Sequence, residues 1–302
     1  MVEQVLASLR PRRGAVIVDA TVGSGGHSVA VLPRLLPDGR LIAVDRDREA
    51  LDLARQRLAE FEPLVTFVHE DYRHLPRILS EAGLTQVDGL LLDLGMSSLQ
   101  VDRSERGFSF SQEGPLDMRM DTRQDATAEA LVNELPADEL AWMLTAFGEE
   151  RFAKRIAQRI VRERRAHPIT TTTQLARIVT QASPPGARHG RIHPATRTFQ
   201  ALRIAVNDEL GALQGVLEGL PDMLAPGGRA VILTFHSLED RVVKRAFAEG
   251  MHKALWTVLT KKPLRPTSEE ITRNPRARSA KLRAVERGLP PTHTNPRRGT
   301  QG

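Results

Sequence analysis

The stretch AVIVDATVGSGGH, residues 15–27, decides how the rest of the sequence is interpreted. Its first five residues form an apolar, β-branched run that is typical of a buried strand in a parallel sheet. The glycines that follow permit backbone angles that other residues avoid and let a ligand approach the main chain closely. A helical pattern begins at His27. The stretch therefore predicts a strand, a turn and a helix, with a ligand at the helix N-terminus beyond the strand's carboxyl end.

The alternation of strand and helix patterns continues through the first hundred residues and returns nearer the carboxyl end. Short apolar runs predict strands, and the longer segments between them have helical periodicity. Successive β-α-β steps build a parallel sheet with helices on both faces. The predicted strands are residues 15–19, 40–45, 64–69, 87–93 and 228–235, and the predicted helices include residues 27–36, 48–61, 72–83 and 238–248.

A long central segment interrupts this pattern. Residues 101–122 are charged and loop-like, residues 126 to about 182 are helical throughout without a strand candidate, and residues 183–194 form a Pro/Gly-rich loop. We therefore expect an α/β, Rossmann-like domain that carries an inserted all-helical domain. The expected boundaries are 1–110 for the first part of the α/β domain, 111–194 for the helical insertion and 195–302 for the second part with a basic C-terminal segment.

Composition excludes several classes of chemistry. The chain has 302 residues and no cysteine, which rules out disulfides, thiolate zinc sites and a cysteine nucleophile. No run approaches about 18 uninterrupted apolar residues, and residues 1–13 lack the pattern of a signal peptide. We expect a cytoplasmic protein without a membrane partner.

Positive charge is concentrated at the carboxyl end. Residues 253–302 contain 12 Lys and Arg against 3 Asp and Glu, while the remaining residues contain 31 against 34. A near-neutral body with a basic end suits contacts with phosphate groups. The alternative is a solvated tail without a partner.

The type of ligand is decided by the spacing of the glycines and by the acidic residues near the strand ends. A dinucleotide fingerprint requires G-x-G-x-x-G, whereas the third position after Gly25 is Ser28, which weakens an NAD interpretation. Asp45 ends the second strand, where a carboxylate would bind ribose hydroxyls in an NAD site or in the site of a sulfonium cofactor. Carboxylates near the carboxyl edge suit a sulfonium cation, although each could instead cap the following helix. These carboxylates are Asp19, Asp45, Asp71 and Asp93.

Seven blocks spread along the chain carry a more specific signal. They are TVGSGGH at 21–27, VDGLLLDLG at 87–95, ERGFSF at 105–110, GPLDMRMD at 114–121, HPATRTFQALRIAVNDE at 193–209, FHSLEDR at 235–241 and NPRARSAKLR at 274–283. Together they resemble the bacterial MraW family, whose members are 16S ribosomal RNA N4-cytidine methyltransferases. The resemblance implies a class I methyltransferase domain and S-adenosylmethionine as cofactor.

The resemblance also implies a set of cofactor-binding residues, and we expect no metal at the site. The implied cofactor contacts are Gly25, Gly26, His27, Asp45, Tyr72, Asp93 and Gln100. Tyr72 is expected near the adenine, and Asp93 near the methionine amine or the incoming base.

The chemistry of cytosine indicates where catalysis should occur. The lone pair of the exocyclic N4 is delocalised into the ring, so an enzyme must accept the N–H hydrogens and align the nitrogen with the methyl group. Asp93 is our candidate acceptor, although the Pro-Pro-aromatic signature typical of many amino methylases is absent. His236, after the fifth predicted strand, is a second candidate for orienting the base or a phosphate, with a structural role as the alternative.

Binding of 16S ribosomal RNA, within the small ribosomal subunit, is expected to depend on phosphate contacts. The candidate residues are Lys253, Arg276, Arg278, Lys281 and Arg283. The basic helical pattern at 151–165 suggests a lid over the target base, with an ordinary solvated helix as the alternative.

Methyl transfer to another RNA position, DNA or a small molecule remains open. An NAD-dependent oxidoreductase and a non-catalytic RNA-binding protein are further alternatives. The oligomeric state also remains open, including a homodimer.

Overall fold

The computed structural model describes residues 1–188 and 193–288, and within them the strands form a seven-stranded sheet. The strand order is β3-β2-β1-β4-β5-β7-β6, in which β1 to β5 are parallel and β7 runs antiparallel to both β5 and β6. The strands are β1 Val16–Asp19, β2 Arg40–Asp45, β3 Val65–His69, β4 Val87–Asp93, β5 Leu224–Thr234, β6 Trp256–Val258 and β7 Lys281–Arg287. The five predicted strands and the Rossmann-like α/β fold are confirmed.

Helices cover both faces of the sheet and form a separate layer beyond its carboxyl edge. Short 3-10 turns connect some of them. The α-helices are α1 Val2–Leu9, α2 Gly26–Leu35, α3 Arg48–Arg57, α4 Leu75–Glu81, α5 Ser98–Asp102, α6 Ala128–Glu134, α7 Ala137–Gly148, α8 Ala153–Arg164, α9 Thr172–Ala182, α10 Pro185–Arg188, α11 Ala195–Asn207, α12 Glu209–Met223, α13 Ser237–His252 and α14 Ser268–Arg273. None of the helices in the described part of the chain is long and apolar enough to cross a lipid bilayer.

Two apolar clusters lie on opposite faces of the sheet. Side chains alternate along a strand, so Leu90 and Leu92 of β4 join one cluster while Leu91 joins the other. Helices α4, α12 and α13 complete the first cluster, and α1, α2 and α3 complete the second. Because both faces are covered, the strands are apolar almost throughout, as the sequence predicts for a parallel sheet.

A third apolar cluster holds the inserted helices together. It includes residues of α6, α7, α8, α9 and α11, and it extends from Phe108 to Val206. The cluster therefore extends beyond the predicted insertion, residues 111–194, at both ends. Helix α11 packs with the inserted helices, and the chain returns to the sheet only after Asn207.

The carboxyl-end segment is part of the sheet, which the sequence pattern did not predict. In β7 the residues Leu282 and Ala284 pack on one face and Val285 packs on the other. The charged residues between them led us to interpret the segment as a basic surface. The segment instead forms strand β7, which lies between β5 and β6 in the sheet.

The strand order determines where a ligand can bind. Strand β1 has β2 on one side and β4 on the other, so the connections that leave these strands diverge at their carboxyl ends. In open α/β sheets a ligand binds in the crevice outside the carboxyl ends at such a switch point. Here the glycine-rich turn after β1 and the loop after β4 lie on either side of that crevice.

Candidate active site

The glycine-rich turn is held against the end of β2. Gly23 and Gly25 have positive φ angles of 52° and 81°, which a residue with a Cβ rarely adopts. The Gly23 N–H donates a hydrogen bond of 2.8 Å to Asp45 Oδ2. At Gly25 an added Cβ would also lie 3.4 Å from Leu58 Cγ. The turn therefore needs glycine at both positions and presents its main chain to the crevice.

A cavity of about 390 Å³ occupies the switch point, a size in the usual range for small-molecule sites. Of the predicted cofactor residues, six line the cavity: Gly26, His27, Asp45, Tyr72, Asp93 and Gln100. Gly25 is part of the glycine-rich turn but does not line the cavity. Other lining residues come from the loop after β4, from the inserted segment and from the start of α12: Leu94, Gly95, Met96, Met120 and Glu209.

The four carboxylates near the strand ends do not play the same part. Asp45 and Asp93 line the cavity, whereas Asp19 and Asp71 do not. Asp19 is 2% exposed and accepts a hydrogen bond of 2.7 Å from the Ser28 hydroxyl inside α2. Asp71 accepts from the Arg73 N–H at the start of a 3-10 turn. For these two residues the structural role, bonding to the turn that follows, is the one observed.

Asp45 combines burial with backbone hydrogen bonds. Burial raises the pKa of Asp45 to about 6, although the N–H groups of Asp47 and Gly23 both favour the charged form. The carboxyl therefore changes its charge close to neutral pH. Hydroxyl donors from a ligand would favour the ionised carboxylate in the same way as the two backbone groups do.

Asp93 and His27 form a pair across the cavity floor. His27 Nε2 lies 3.3 Å from Asp93 Oδ2, and the Asp93 N–H donates to the Thr21 hydroxyl at 2.6 Å. Burial lowers the pKa of His27, but the hydrogen bond and the charge of Asp93 outweigh it, so the net pKa is raised. Within the described residues, Asp93 Oδ1 and His27 Nδ1 are buried without a hydrogen-bond partner. Buried polar atoms in this state indicate a site for a polar ligand.

Gln100 and Tyr72 contribute mainly shape. The Gln100 amide donates to Asp47 at 2.7 Å, and its oxygen accepts the Ser97 N–H at the start of α5. Its polar atoms are therefore engaged in fixing the loop after β4. Tyr72 is 6% exposed, and its hydroxyl donates to the Glu209 carbonyl at 3.4 Å. Burial raises the pKa of Tyr72, so the ring stays neutral.

His236 caps a helix. Its Nδ1 accepts the Glu239 N–H at 3.4 Å, and the Glu239 carboxylate accepts the His236 N–H at the start of α13. Its neighbours Phe235 and Glu239 line the cavity, but His236 itself does not. This geometry favours the structural interpretation over the catalytic one.

A buried polar network next to the cavity contains His236 together with residues that were not predicted for the site. Arg203 in α11 donates to both carboxylate oxygens of Glu209 at 2.7 and 2.8 Å. The side-chain ligand atoms of Glu209, His236 and Glu239 lie within 4.8 Å of one another, which is close enough to hold a metal ion. The Arg203 guanidinium already supplies a positive charge to this group. These residues come from blocks at 193–209 and 235–241, and only the fold brings them together.

The predicted RNA-binding residues are mostly paired with carboxylates. Lys281 and Arg283 both bind Asp240, at 3.0 and 2.8 Å. Arg283 is 6% exposed because β7 lies inside the sheet, so its guanidinium is not available to a phosphate at the surface. The remaining candidates lie at the surface: Lys253 pairs with Glu249, Arg276 pairs with Asp102 and Arg278 is exposed.

Comparison with known proteins finds a matching family model and several similar proteins. A sequence model described as the MraW methylase family matches residues 1–288. The ribosomal RNA small subunit methyltransferase H of Heliobacterium modesticaldum is 48% identical over 95% of this chain and 97% of its own length. The protein of the same name from Nitratidesulfovibrio vulgaris is 49% identical over 99% of this chain and 87% of its own length. A solved ribosomal RNA methylase from Streptococcus thermophilus covers 96% of both chains at 12% identity, with a TM-score of 0.43.

Proposed function

This chain belongs to the MraW methylase family, and from that premise we propose that it methylates N4 of a cytidine in the decoding region of 16S ribosomal RNA, with S-adenosylmethionine as donor. The proposed substrate is this RNA within the small ribosomal subunit, in the cytoplasm. The observation that carries the proposal is the cavity at the switch point, where Asp45, His27 and Asp93 meet the glycine-rich turn. The names of the 48% and 49% identical relatives support the small-subunit RNA as substrate.

The residues present fit the proposed donor. When bound, S-adenosylmethionine supplies a methyl group that is carried on a positively charged sulfur. Asp45 offers a buried carboxylate of the kind that binds ribose hydroxyls, and Tyr72 offers an apolar ring that carries no charge. At Gly23 an added Cβ would meet only the Thr21 carbonyl oxygen, at 3.9 Å, so the main chain is open to a close approach.

Asp93 is placed to activate the amino nucleophile. Asp93 lines the cavity and its Oδ2 lies beside His27, so the carboxylate is held in a position from which it can accept an N–H hydrogen of the base. Accepting that hydrogen bond directs the nitrogen lone pair out of conjugation. In the proposed transfer the methyl group would pass from the sulfonium sulfur to N4, so that the new C–N bond replaces the C–S bond, and the Asp93 carboxylate would accept the proton that the nitrogen then loses.

His27 acts as a positioning residue for Asp93. Its imidazole fixes the orientation of the carboxylate, and the positive charge that it carries below its raised pKa favours the ionised form of Asp93. Phe235 and Leu94 add apolar side chains to the lining of the cavity.

The test uses the purified chain with small ribosomal subunits, and with bare 16S ribosomal RNA, from a strain that lacks this methylation. After incubation with methyl-labelled S-adenosylmethionine, the RNA is digested and its nucleosides are identified by mass spectrometry. We expect N4-methylcytidine as the labelled product, and none with the Asp93→Ala variant.

Two outcomes would contradict the proposal. Label in a different nucleoside would show that the position is wrong. Calorimetry that detects uptake of NAD but not of S-adenosylmethionine or S-adenosylhomocysteine would show that the cofactor is wrong.

A further inference from the structure

Helix α8 carries an unusual concentration of positive charge. Residues 151–165 contain seven Lys and Arg and a single acidic residue, Glu163. The apolar residues Ala153, Ile156, Ala157 and Ile160 are buried against the other inserted helices. The exposed cations of α8 therefore lie on the side of the helix that does not pack on the helical cluster.

The exposed cations lie along one side of the helix. At 100° per residue, Lys154, Arg155, Arg162 and Arg165 fall within a strip about 100° wide, opposite the buried face. The strip is about 16 Å long at 1.5 Å per residue. Arg151 is also exposed, just before the helix begins. We call these five exposed side chains the basic row: Arg151, Lys154, Arg155, Arg162 and Arg165.

The basic row has no anionic partner in the described part of the chain. Within residues 1–188 and 193–288, none of its members has an ion pair or a side-chain hydrogen bond. The other cations of α8 are engaged, since Arg159 pairs with Glu163 at 2.7 Å and Arg164 donates to the Val132 carbonyl at 2.7 Å. Like charges three or four positions apart on a helix repel one another, and a bound anion would relieve that repulsion.

The row also begins near the candidate active site. Arg151 is two residues from Glu149, whose carboxylate accepts a hydrogen bond of 2.6 Å from Ser237 and pairs with Arg241 at 2.8 Å. Ser237 is the first residue of α13, and Phe235, two residues earlier, lines the cavity. The row therefore begins two residues after a side chain that bonds to the start of α13, next to the wall of the cavity.

We propose that the basic row binds the phosphate backbone of the RNA strand that flanks the target cytidine. The proposal rests on the function proposed above and adds the surface along which that RNA lies. Several arginines in a line suit a polyanion, because each guanidinium can bind phosphate oxygens through two N–H groups. The C-terminal cations are less suited, since carboxylates already neutralise Lys281, Arg283 and Arg276.

The experiment removes two charges from the row and two from elsewhere. The row variant is Arg155→Gln with Arg162→Gln, and the matched control is Arg34→Gln with Arg40→Gln, both exposed near the amino edge of the sheet. Affinity for 16S ribosomal RNA is measured between 50 and 200 mM salt, together with methylation rates and calorimetric binding of S-adenosylhomocysteine.

We expect the row variant to lose RNA affinity while it binds S-adenosylhomocysteine like the wild type. The slope of log K against log salt should become shallower by about 0.7 for each single-strand phosphate that the protein no longer binds. Near 0.1 M salt this corresponds to a weakening on the order of fivefold for each such phosphate. The KM for RNA should rise with little change in kcat. Restoring the charge with Arg155→Lys and Arg162→Lys should recover most of the slope.

The outcomes separate this inference from the proposed function. If the row variant and the control give the same slope and affinity, or if the wild type binds no RNA, the inference is wrong. If the wild type binds RNA and the row variant binds it less tightly, but no methyl group is transferred, the inference stands and the proposed function fails. Tighter binding of an acidic protein than of RNA at the row would also overturn the inference.

Discussion

Asp45 is the side chain at which burial and hydrogen bonding act most clearly against each other. Its carboxyl group is enclosed by the glycine-rich turn, and two backbone N–H groups donate to its oxygens. Burial is the stronger influence and leaves the pKa at about 6. The folded protein therefore holds a proton on Asp45 at pH values where an ordinary aspartate is ionised.

This raised pKa predicts that cofactor binding depends on pH. Ligand hydroxyls donate to the ionised carboxylate, so affinity should be full above about pH 7 and should fall by up to tenfold per unit below pH 6. Calorimetry with S-adenosylhomocysteine between pH 5 and 8 measures this. His27 also gains a proton as the pH falls, so the Asp45→Asn variant serves as the comparison. This variant should bind S-adenosylhomocysteine about 10 to 100 times more weakly at pH 7.5. An Asp45→Asn variant with the full pH dependence would assign the effect to His27 instead.

Asp93 is predicted to act on rate more than on cofactor binding. Asp93→Asn keeps the shape of the side chain but replaces a carboxylate oxygen with an amide, which cannot take up a proton. We expect kcat to fall by about 10² to 10⁴. Binding of S-adenosylhomocysteine should change only a few fold, because Asp45 and the turn remain. Single-turnover methylation measures the rate, and a variant with unchanged kcat would remove Asp93 from the catalytic role.

The helices and strands show which signals in the sequence were sufficient. Strands β1 to β5 were predicted because each is a nearly continuous apolar run between helical patterns. The ligand site beyond β1 was predicted because a glycine-rich turn follows that strand and opens a helix. Strand β7 was missed because Lys281, Arg283 and Glu286 interrupt its apolar residues. Arg283 is compatible with burial only because Asp240 on α13 lies beside it. That pairing depends on the fold and cannot be detected from the spacing of residues along the chain.

The same reasoning applies to the junction between α11 and α12. Arg203 and Glu209 lie on two consecutive helices, and the chain turns at Asp208, which has a left-handed φ of 45°. The apolar pattern of α11 fits either the sheet or the helical cluster. The choice is decided by its packing on α7, which joins segments that are distant in sequence.

Packing between α13 and β6 predicts an unusual effect of a small substitution. Alanine normally stabilises a helix relative to glycine by about 1 kcal/mol. At Gly250, however, an added Cβ would lie 2.1 Å from the ring of Trp256, whose Nε1 donates to the Phe247 carbonyl at 2.9 Å. We therefore expect Gly250→Ala to lower the free energy of unfolding by about 1 to 3 kcal/mol.

Urea denaturation of the two glycine variants provides the matched comparison. Gly215 lies in α12, and nothing stands within 4 Å of an added Cβ. Gly215→Ala should therefore be neutral or stabilising by up to about 1 kcal/mol. If Gly250→Ala proved as stable as Gly215→Ala, the close packing of Trp256 on α13 would be incorrect.

At the scale of the whole molecule, Asn207 at the end of α11 is one of the residues that connect the helical insertion to the cavity. The Asn207 side chain accepts the Met120 N–H at 2.8 Å and donates to the Met118 carbonyl at 2.8 Å. Its own carbonyl accepts a hydrogen bond of 2.9 Å from Arg46, which lines the cavity. A ligand in the cavity should therefore reduce motion at this end of the helical cluster.

Hydrogen exchange tests this connection. With S-adenosylhomocysteine at 100 times its Kd, amides that open only together with the site should exchange up to about 100 times more slowly. We expect protection in the last turn of α11 and in residues 118–120, as well as around the glycine-rich turn. Helix α8 lies outside this chain of hydrogen bonds and serves as the control. Equal protection of α8 and α11, or none in α11, would contradict the connection.

The position of the inserted helices has a consequence for biosynthesis. Strand β4 leaves the ribosome long before β5, its neighbour in the sheet, because residues 94–223 must be translated in between. At ordinary rates of synthesis this delay lasts on the order of ten seconds. During that time the inserted helices can assemble their own core, while an apolar strand edge waits unpaired and open to aggregation. Nascent chains stalled within α12 should accordingly depend on chaperones more than the finished protein does.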